Sequence, residues 1–256
     1  MYKRGQVTIW IIISIVLLIL FFVGFFFKST FLEFLREKHV LSSAVLPKEL
    51  EPIHSFILNC VRQVGEESLS FVSFYGGYYD LTTVKKNKRG IPYYFNQGIL
   101  NIPSKNFLEK SLSSYLNDHL KICTSGFKDF NKSFTFEEKK VTSKVSLVSG
   151  KVRFDVSYPV KLHKENSIYE LTSFALDIPH NLNNIYSAVA LAMNEQRTYP
   201  DMCLSCLYTS TNLYNLSVQI YNPTLNEVEY SFIDHSQQVM GEPSRFVFAL
   251  KFNTTL

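Results

Sequence analysis

Residues 7–27 read VTIWIIISIVLLILFFVGFFF, a run with no charge whose only polar members are Thr8 and Ser14. As a helix rising about 1.5 Å per residue it is about 31 Å long, which matches the hydrocarbon core of a bilayer. A helix apolar on every side must be surrounded by lipid or by protein on all faces. A cleaved secretory signal carries an apolar region of about 7–15 residues and a small-residue cleavage site. This run is longer and closes on Phe25-Phe26-Phe27-Lys28, and the nearest small cluster, Ser42-Ser43-Ala44, lies beyond a charged stretch. The expectation is therefore a retained, single-pass transmembrane helix.

Lys3 and Arg4 are the only charges before the run. By the positive-inside rule they keep the N-terminus cytoplasmic and place the remainder outside, in the cell membrane's extracytoplasmic space. The expected organisation is a cytoplasmic tail (1–6), the transmembrane helix (7–27), a stalk or linker (28–46) and an extracytoplasmic domain (47–256). Partners follow from that placement: the lipid bilayer, other cell-surface proteins, and self-association through the apolar helix.

Charge excludes one class of function. The chain holds 26 Lys and Arg against 22 Asp and Glu, but Lys3, Arg4 and Lys28 flank the anchor and every acid lies at or beyond Glu33. The domain is then nearly neutral, without the clustered basic stripe of a nucleic-acid reader. Its densest basic stretch, Lys85-Lys86-Asn87-Lys88-Arg89, closes on Gly90 and reads as a solvated turn between strands. The 22 Phe and 15 Tyr suit a sheet-rich domain with an aromatic core.

Periodicity fills in the elements. Leu50, Ile53, Ile57, Cys60, Val61, Val64 and Leu69 recur at helical spacing, and Gly76-Gly77 ends that segment in a turn requiring positive φ. Residues 78–84 read as a strand, and Ile91 to Phe95 as a short aromatic one. Ser104 is a fitting N-cap for a second helix, with Phe107, Leu108, Leu112, Tyr115, Leu116, Leu120 and Cys123 on one face and Gly126 as its stop. From Phe134 the period drops to two. Val145-Leu147 and Val152-Phe154-Val156-Tyr158 flank Ser149-Gly150 as a hairpin. A bulged strand follows over Tyr169 to Ile178, then a helix over 182–196 and three further strands at Leu216 to Ile220, Val228 to Phe232 and Phe246 to Phe252. The fold class expected is α+β: an N-terminal transmembrane helix followed by an extracytoplasmic domain with two early helices and a mainly antiparallel sheet.

Four cysteines, Cys60, Cys123, Cys203 and Cys206, are an even count that favours disulfides outside the cytoplasm. Cys60 and Cys123 lie on the apolar faces of the two early helices, so Cys60–Cys123 with Cys203–Cys206 is the favoured pairing. Crossed pairings stay open, because a loop as short as the second constrains little entropy. Cys203-Leu204-Ser205-Cys206 is also the most chemical-looking stretch. A redox reading needs the motif to open a helix after a strand; here it reads as loop into strand. A zinc reading needs two further ligands at close spacing. The sequons at Asn131, Asn215 and Asn253 permit N-glycosylation.

No catalytic constellation emerges. The six histidines share no ligand spacing, and Asp234-His235-Ser236 lacks a nucleophile elbow. Gly76-Gly77 lacks the Lys and Ser or Thr of a phosphate loop. The expectation is a protein that is not an enzyme and uses no cofactor.

At the N-terminus, Lys3-Arg4-Gly5-Gln6-Val7-Thr8-Ile9 before the apolar run resembles archaeal class III prepilin-like proteins. The resemblance implies cleavage between Gly5 and Gln6 and a pilin-like filament or secretion-system subunit, although Trp10 stands where that pattern carries the Glu that registers neighbouring subunits. The anchor, together with the Cys60 helix, Gly76-Gly77-Tyr78, Pro92-Tyr93-Tyr94 and Val156-Ser157-Tyr158-Pro159, is similar to a group of uncharacterised archaeal single-pass membrane proteins. That implies a location and an architecture, and no activity. Three functional expectations remain: a structural or binding protein of the cell surface, a pilin-like subunit, or a redox or metal-binding protein using Cys203 and Cys206.

Overall fold

A computed structural model describes residues 47–224 and 226–253. The tail, the apolar run at 7–27, the stalk, Gly5, Gln6 and Trp10 lie outside the described residues. Among the described residues no helix is long and apolar enough to cross a membrane. The chain divides into Met1–Glu51 and Pro52–Leu256, and the architecture below is that of the second unit.

Four helices and two sheets make an α+β fold. Helix α1 (Glu51–Phe74) buries Ile53, Ile57, Cys60, Val61, Val64, Leu69 and Val72 on one face, as the periodicity requires. It closes in a Schellman turn: Gly76 takes φ +55, its N–H donates to the Ser73 carbonyl at 3.2 Å, and the Gly77 N–H reaches the Val72 carbonyl at 2.7 Å. Helix α2 (Lys105–Thr124) is capped by Ser104, whose hydroxyl accepts the Phe107 N–H. It ends at Ser125, in the left-handed region, one residue before Gly126.

The first sheet has the order β2-β1-β9-β8-β7, from β1 (Tyr93–Asn96), β2 (Ile99–Leu100), β7 (Ser217–Thr224), β8 (Glu227–Val239) and β9 (Glu242–Lys251). All neighbours are antiparallel except β1 and β9, which are parallel. The second sheet is built on β5 (Lys151–Lys164), with β6 (Ser167–Pro179) along one edge. On the other edge, β3 (Thr135–Glu138) and β4 (Thr142–Val148) lie end to end: β4 pairs residues 151–157 and β3 pairs 160–163. The gap between them falls at a register shift in which Tyr158 and Pro159 of β5 stand opposite Thr172 alone. The bulge expected in β6 is therefore in β5, where Pro159 has no N–H to give a ladder.

Side chains of α2 cover the outer edge of β4. Lys105 Nζ donates to the Leu147 carbonyl, Glu109 accepts the Leu147 N–H, and the Ser113 hydroxyl donates to the Ser143 carbonyl, all at 2.8–2.9 Å. Such cover removes the open donors and acceptors through which an edge recruits other strands. Helix α1 lies against β5 and β6 closely enough that a Cβ on Gly65 would sit 2.8 Å from Ile178 Cδ1. Helices α3 (Leu182–Gln196) and α4 (Leu204–Tyr214) pack on one another.

Two expectations fail. Residues 78–84 form no strand, despite β-favouring Tyr, Leu, Thr and Val. Tyr78 is buried against Phe107, Tyr79 donates to Asp118 at 3.0 Å, and Asp80 takes the Thr82 N–H, so local bonds hold the segment as a loop. The basic turn at 85–90 keeps Lys85, Lys86, Lys88 and Arg89 exposed, as a solvated turn does, and is anchored through Asn87 and Arg89. Glu229, 4% exposed, accepts Asn87 Nδ2 at 2.6 Å and Arg89 Nη1 at 2.8 Å. Residues 204–214 are a helix, where loop into strand was expected.

Candidate functional site

The exposed end of α1 faces the β8–β9 turn across an open cleft of about 600 Å³. Helical spacing brings Glu67, Ser70, Phe71, Phe74 and Tyr75 to one wall, with Tyr115 of α2 beside them. The other wall is Val239, Met240, Glu242, Pro243, Ser244 and Arg245. Two sequence details aim this second wall. A register shift leaves His235, Ser236 and Gln237 unopposed between Asp234 and Gln238, so the end of β8 leaves the regular ladder. Met240 and Gly241 then take φ +54 and +84 in a two-residue turn, a conformation Gly accepts freely and Met does not. Met240 is 62% exposed, so this unfavourable backbone carries an apolar side chain into solvent at the rim.

The aromatic wall is held from behind. Phe74 and Tyr75 pack on a buried cluster of Ile91, Tyr93, Val247 and Ala249. Phe71 sits 4.8 Å from Tyr75 and 5.4 Å from Tyr115, ring centre to ring centre. Tyr115 stacks on His119 at 4.1 Å. Burial, and then the nearby Glu67 carboxylate, raise the Tyr115 hydroxyl pKa; burial, and then the bond to Asp118, push Tyr79 up to about 12. Both phenols stay protonated at neutral pH. Opposite them, Glu242 and Arg245 face each other at 3.8 Å.

His180 lies at the edge of this cleft and is 1% exposed. With Ser244 and Asp234 close by, it has the composition of a nucleophile triad, but its bonding is wrong for one. Nδ1 accepts the Leu182 N–H at 2.9 Å, so the neutral ring carries its proton on Nε2, which donates to Ser244 Oγ at 2.8 Å. A general base would have to accept from that serine. Burial lowers the His180 pKa to about 4, against an opposing pull from Asp234. Asp234 accepts Asn181 Nδ2 and both donors of Ser236 instead of the imidazole. Burial raises its pKa, and these bonds outweigh that and lower it. His180 thus ties the start of α3 to β9. The adjacent trio Asp234-His235-Ser236 runs from the last paired residue into that bulge, with His235 turned outward to Ser217 at 2.8 Å.

The other residues singled out from the sequence are spread over the molecule. Cys60 and Cys123 are joined, tying α1 to α2 across 63 residues, and Cys203 is joined to Cys206. Among the described residues no group of three His, Cys, Asp or Glu could hold a metal ion. Asn131, Asn215 and Asn253 are exposed. Tyr78, Tyr93 and Tyr94 are in the core and Tyr79 is half-buried. No family model, curated protein or solved structure matches the chain. The cleft itself was not legible in the sequence. Its one local signal is Phe71, Phe74 and Tyr75, aromatics that continue α1 off the stripe formed by Leu69 and Val72.

Proposed function

We propose that this chain is a membrane-anchored cell-surface protein whose α+β domain binds a ligand in the aromatic cleft. The single observation that carries the reading is a wall of partly exposed rings, pinned from behind and faced by a carboxylate and a guanidinium. Concave sites of this size with an apolar wall and a few polar groups are the usual form of small-ligand sites. Aromatic faces take an apolar ligand face, while Glu67, Glu242, Arg245 and Ser70 offer acceptors and donors at its edge. That combination suits a saccharide ring, with one face of C–H groups and a rim of hydroxyls.

The test is calorimetric titration of the full chain in detergent micelles against a panel of neutral and acidic oligosaccharides. Phe71→Ala and Tyr75→Ala should each weaken binding about tenfold, since losing an aromatic contact costs about 1–2 kcal/mol. Arg245→Ala should weaken acidic sugars more than neutral ones. Binding that ignores all three substitutions, or no binding across the panel, overturns the assignment.

A further inference from the structure

We propose that Cys203 and Cys206 form a redox-active pair that exchanges with an external dithiol, a property separate from the cleft. The sequence pattern argues against this only while the motif is read as loop into strand. In the structure it opens α4, a helix of 11 residues that follows α3 and a loop and not a strand, and Cys203 is its N-cap: the Cys203 sulfur accepts the Cys206 N–H at 3.2 Å. A thiolate left there by reduction meets the free N–H groups and positive end of the helix, with the Ser205 hydroxyl 3.4 Å away. This is the environment that lowers a thiol pKa and makes it both nucleophile and good leaving group.

The helix start does not depend on the disulfide. Gln196, 1% exposed, accepts the Cys203 N–H at 3.0 Å and donates to the carbonyls of Tyr199 and Asp201 at 3.2 and 2.7 Å. That side chain fixes the approach loop whether the sulfurs are joined or not. The two bridges also differ in what they contribute. A bridge across 63 residues removes far more chain entropy from the unfolded state than one across three residues. Opening the second leaves most of the covalent stabilisation in place. Around it Leu204 and Tyr208 are 57% and 72% exposed and no charged residue occurs from Met202 to Asn226, while Cys203 and Cys206 are themselves buried at 5% and 3%.

The exchange balances as follows. A thiolate of the partner dithiol attacks Cys203 Sγ, the bond to Cys206 breaks, and Cys206 leaves and takes a proton. The partner's second thiol loses its proton and attacks the mixed disulfide. The partner becomes a disulfide, Cys203 is released as thiolate, and two electrons and one proton have passed to the chain, with no net proton released to water.

The experiment equilibrates the full chain in detergent micelles over a series of reduced-to-oxidised dithiothreitol ratios, followed by alkylation and peptide mass spectrometry. Circular dichroism is recorded on the same samples, and alkylation of reduced Cys203 is followed against pH. Cys203–Cys206 should open at a reductant ratio at least tenfold lower than Cys60–Cys123, with helical signal unchanged. Cys203 should titrate below the ordinary thiol value of about 8.5. Cys206→Ser should accumulate a mixed disulfide on Cys203 with a peptide that carries a preformed disulfide, whose second sulfur leaves as a thiol. Opening together with Cys60–Cys123, opening only with loss of helical signal, or a Cys203 pKa at or above about 8.5 overturns the proposal. None of these readouts involves the cleft, so either reading can fail alone.

Discussion

His180 shows how far one residue departs from its reading in isolation. In sequence it is one of six scattered histidines. In the fold it accepts from the first N–H of α3 and donates to Ser244 of β9 while fully buried. Its pKa falls from 6.5 to about 4 through burial. The native state then binds fewer protons than the unfolded state between those two values, so stability falls as pH drops from about 6.5 to about 4. The loss is about 3 kcal/mol. Urea unfolding at pH 7, 5.5 and 4 should show it. His180→Asn should unfold more easily at pH 7 and lose much of the acid dependence, and a proton NMR titration should place the imidazole near 4. Gly76 is the opposite case, legible from sequence because a left-handed turn after a helix demands it. Even so, the second reason for a glycine there is tertiary: a Cβ would meet the Val247 carbonyl oxygen at 3.0 Å.

Among elements, α4 is the instructive miss. LSCLYTSTNLY is rich in residues that favour strands, and its Ser and Thr compete for backbone bonds. Inside the fold those hydroxyls bond back along the helix, Ser210 and Thr211 to the Leu207 carbonyl, and Cys206, Leu207, Ser210 and Thr211 form the buried face. Packing on α3 overrides propensity. The pairing of α1 with α2 was more legible, since each presents a cysteine on its apolar face. Replacing Cys60 and Cys123 together by Ala should lower stability by about 2–4 kcal/mol, the range for removing a bridge over a long loop. Thermal unfolding of the full chain should show a single transition at lower temperature. The β3–β4 gap could not be foreseen, because it answers to the bulge at Tyr158-Pro159 on the facing strand and not to anything within residues 139–141.

At the scale of the whole molecule, the apolar run and the charges around it predict one crossing with the domain outside. Protease added to intact cells should remove the domain, and survival of the domain would reverse the topology. Mass spectrometry of the mature N-terminus separates the pilin-like alternative: a chain beginning at Gln6 supports processing, and an intact residue 1 removes it. Composition and period determine this much alone, because apolar length, the 3.6 and 2.0 repeats, and turn residues such as Ser149-Gly150 act locally. They yield α1, α2, α3, the β4–β5 hairpin and the α+β class, and an anchor that stays an expectation outside the described residues. The tertiary structure alone decided the division into two sheets, the helical start at Cys203, the tautomer of His180 and the cleft. The two sheets and the cleft set side by side residues tens to over a hundred positions apart, as Phe71 and Arg245 are, and a local pattern carries no record of which distant neighbour will complete it.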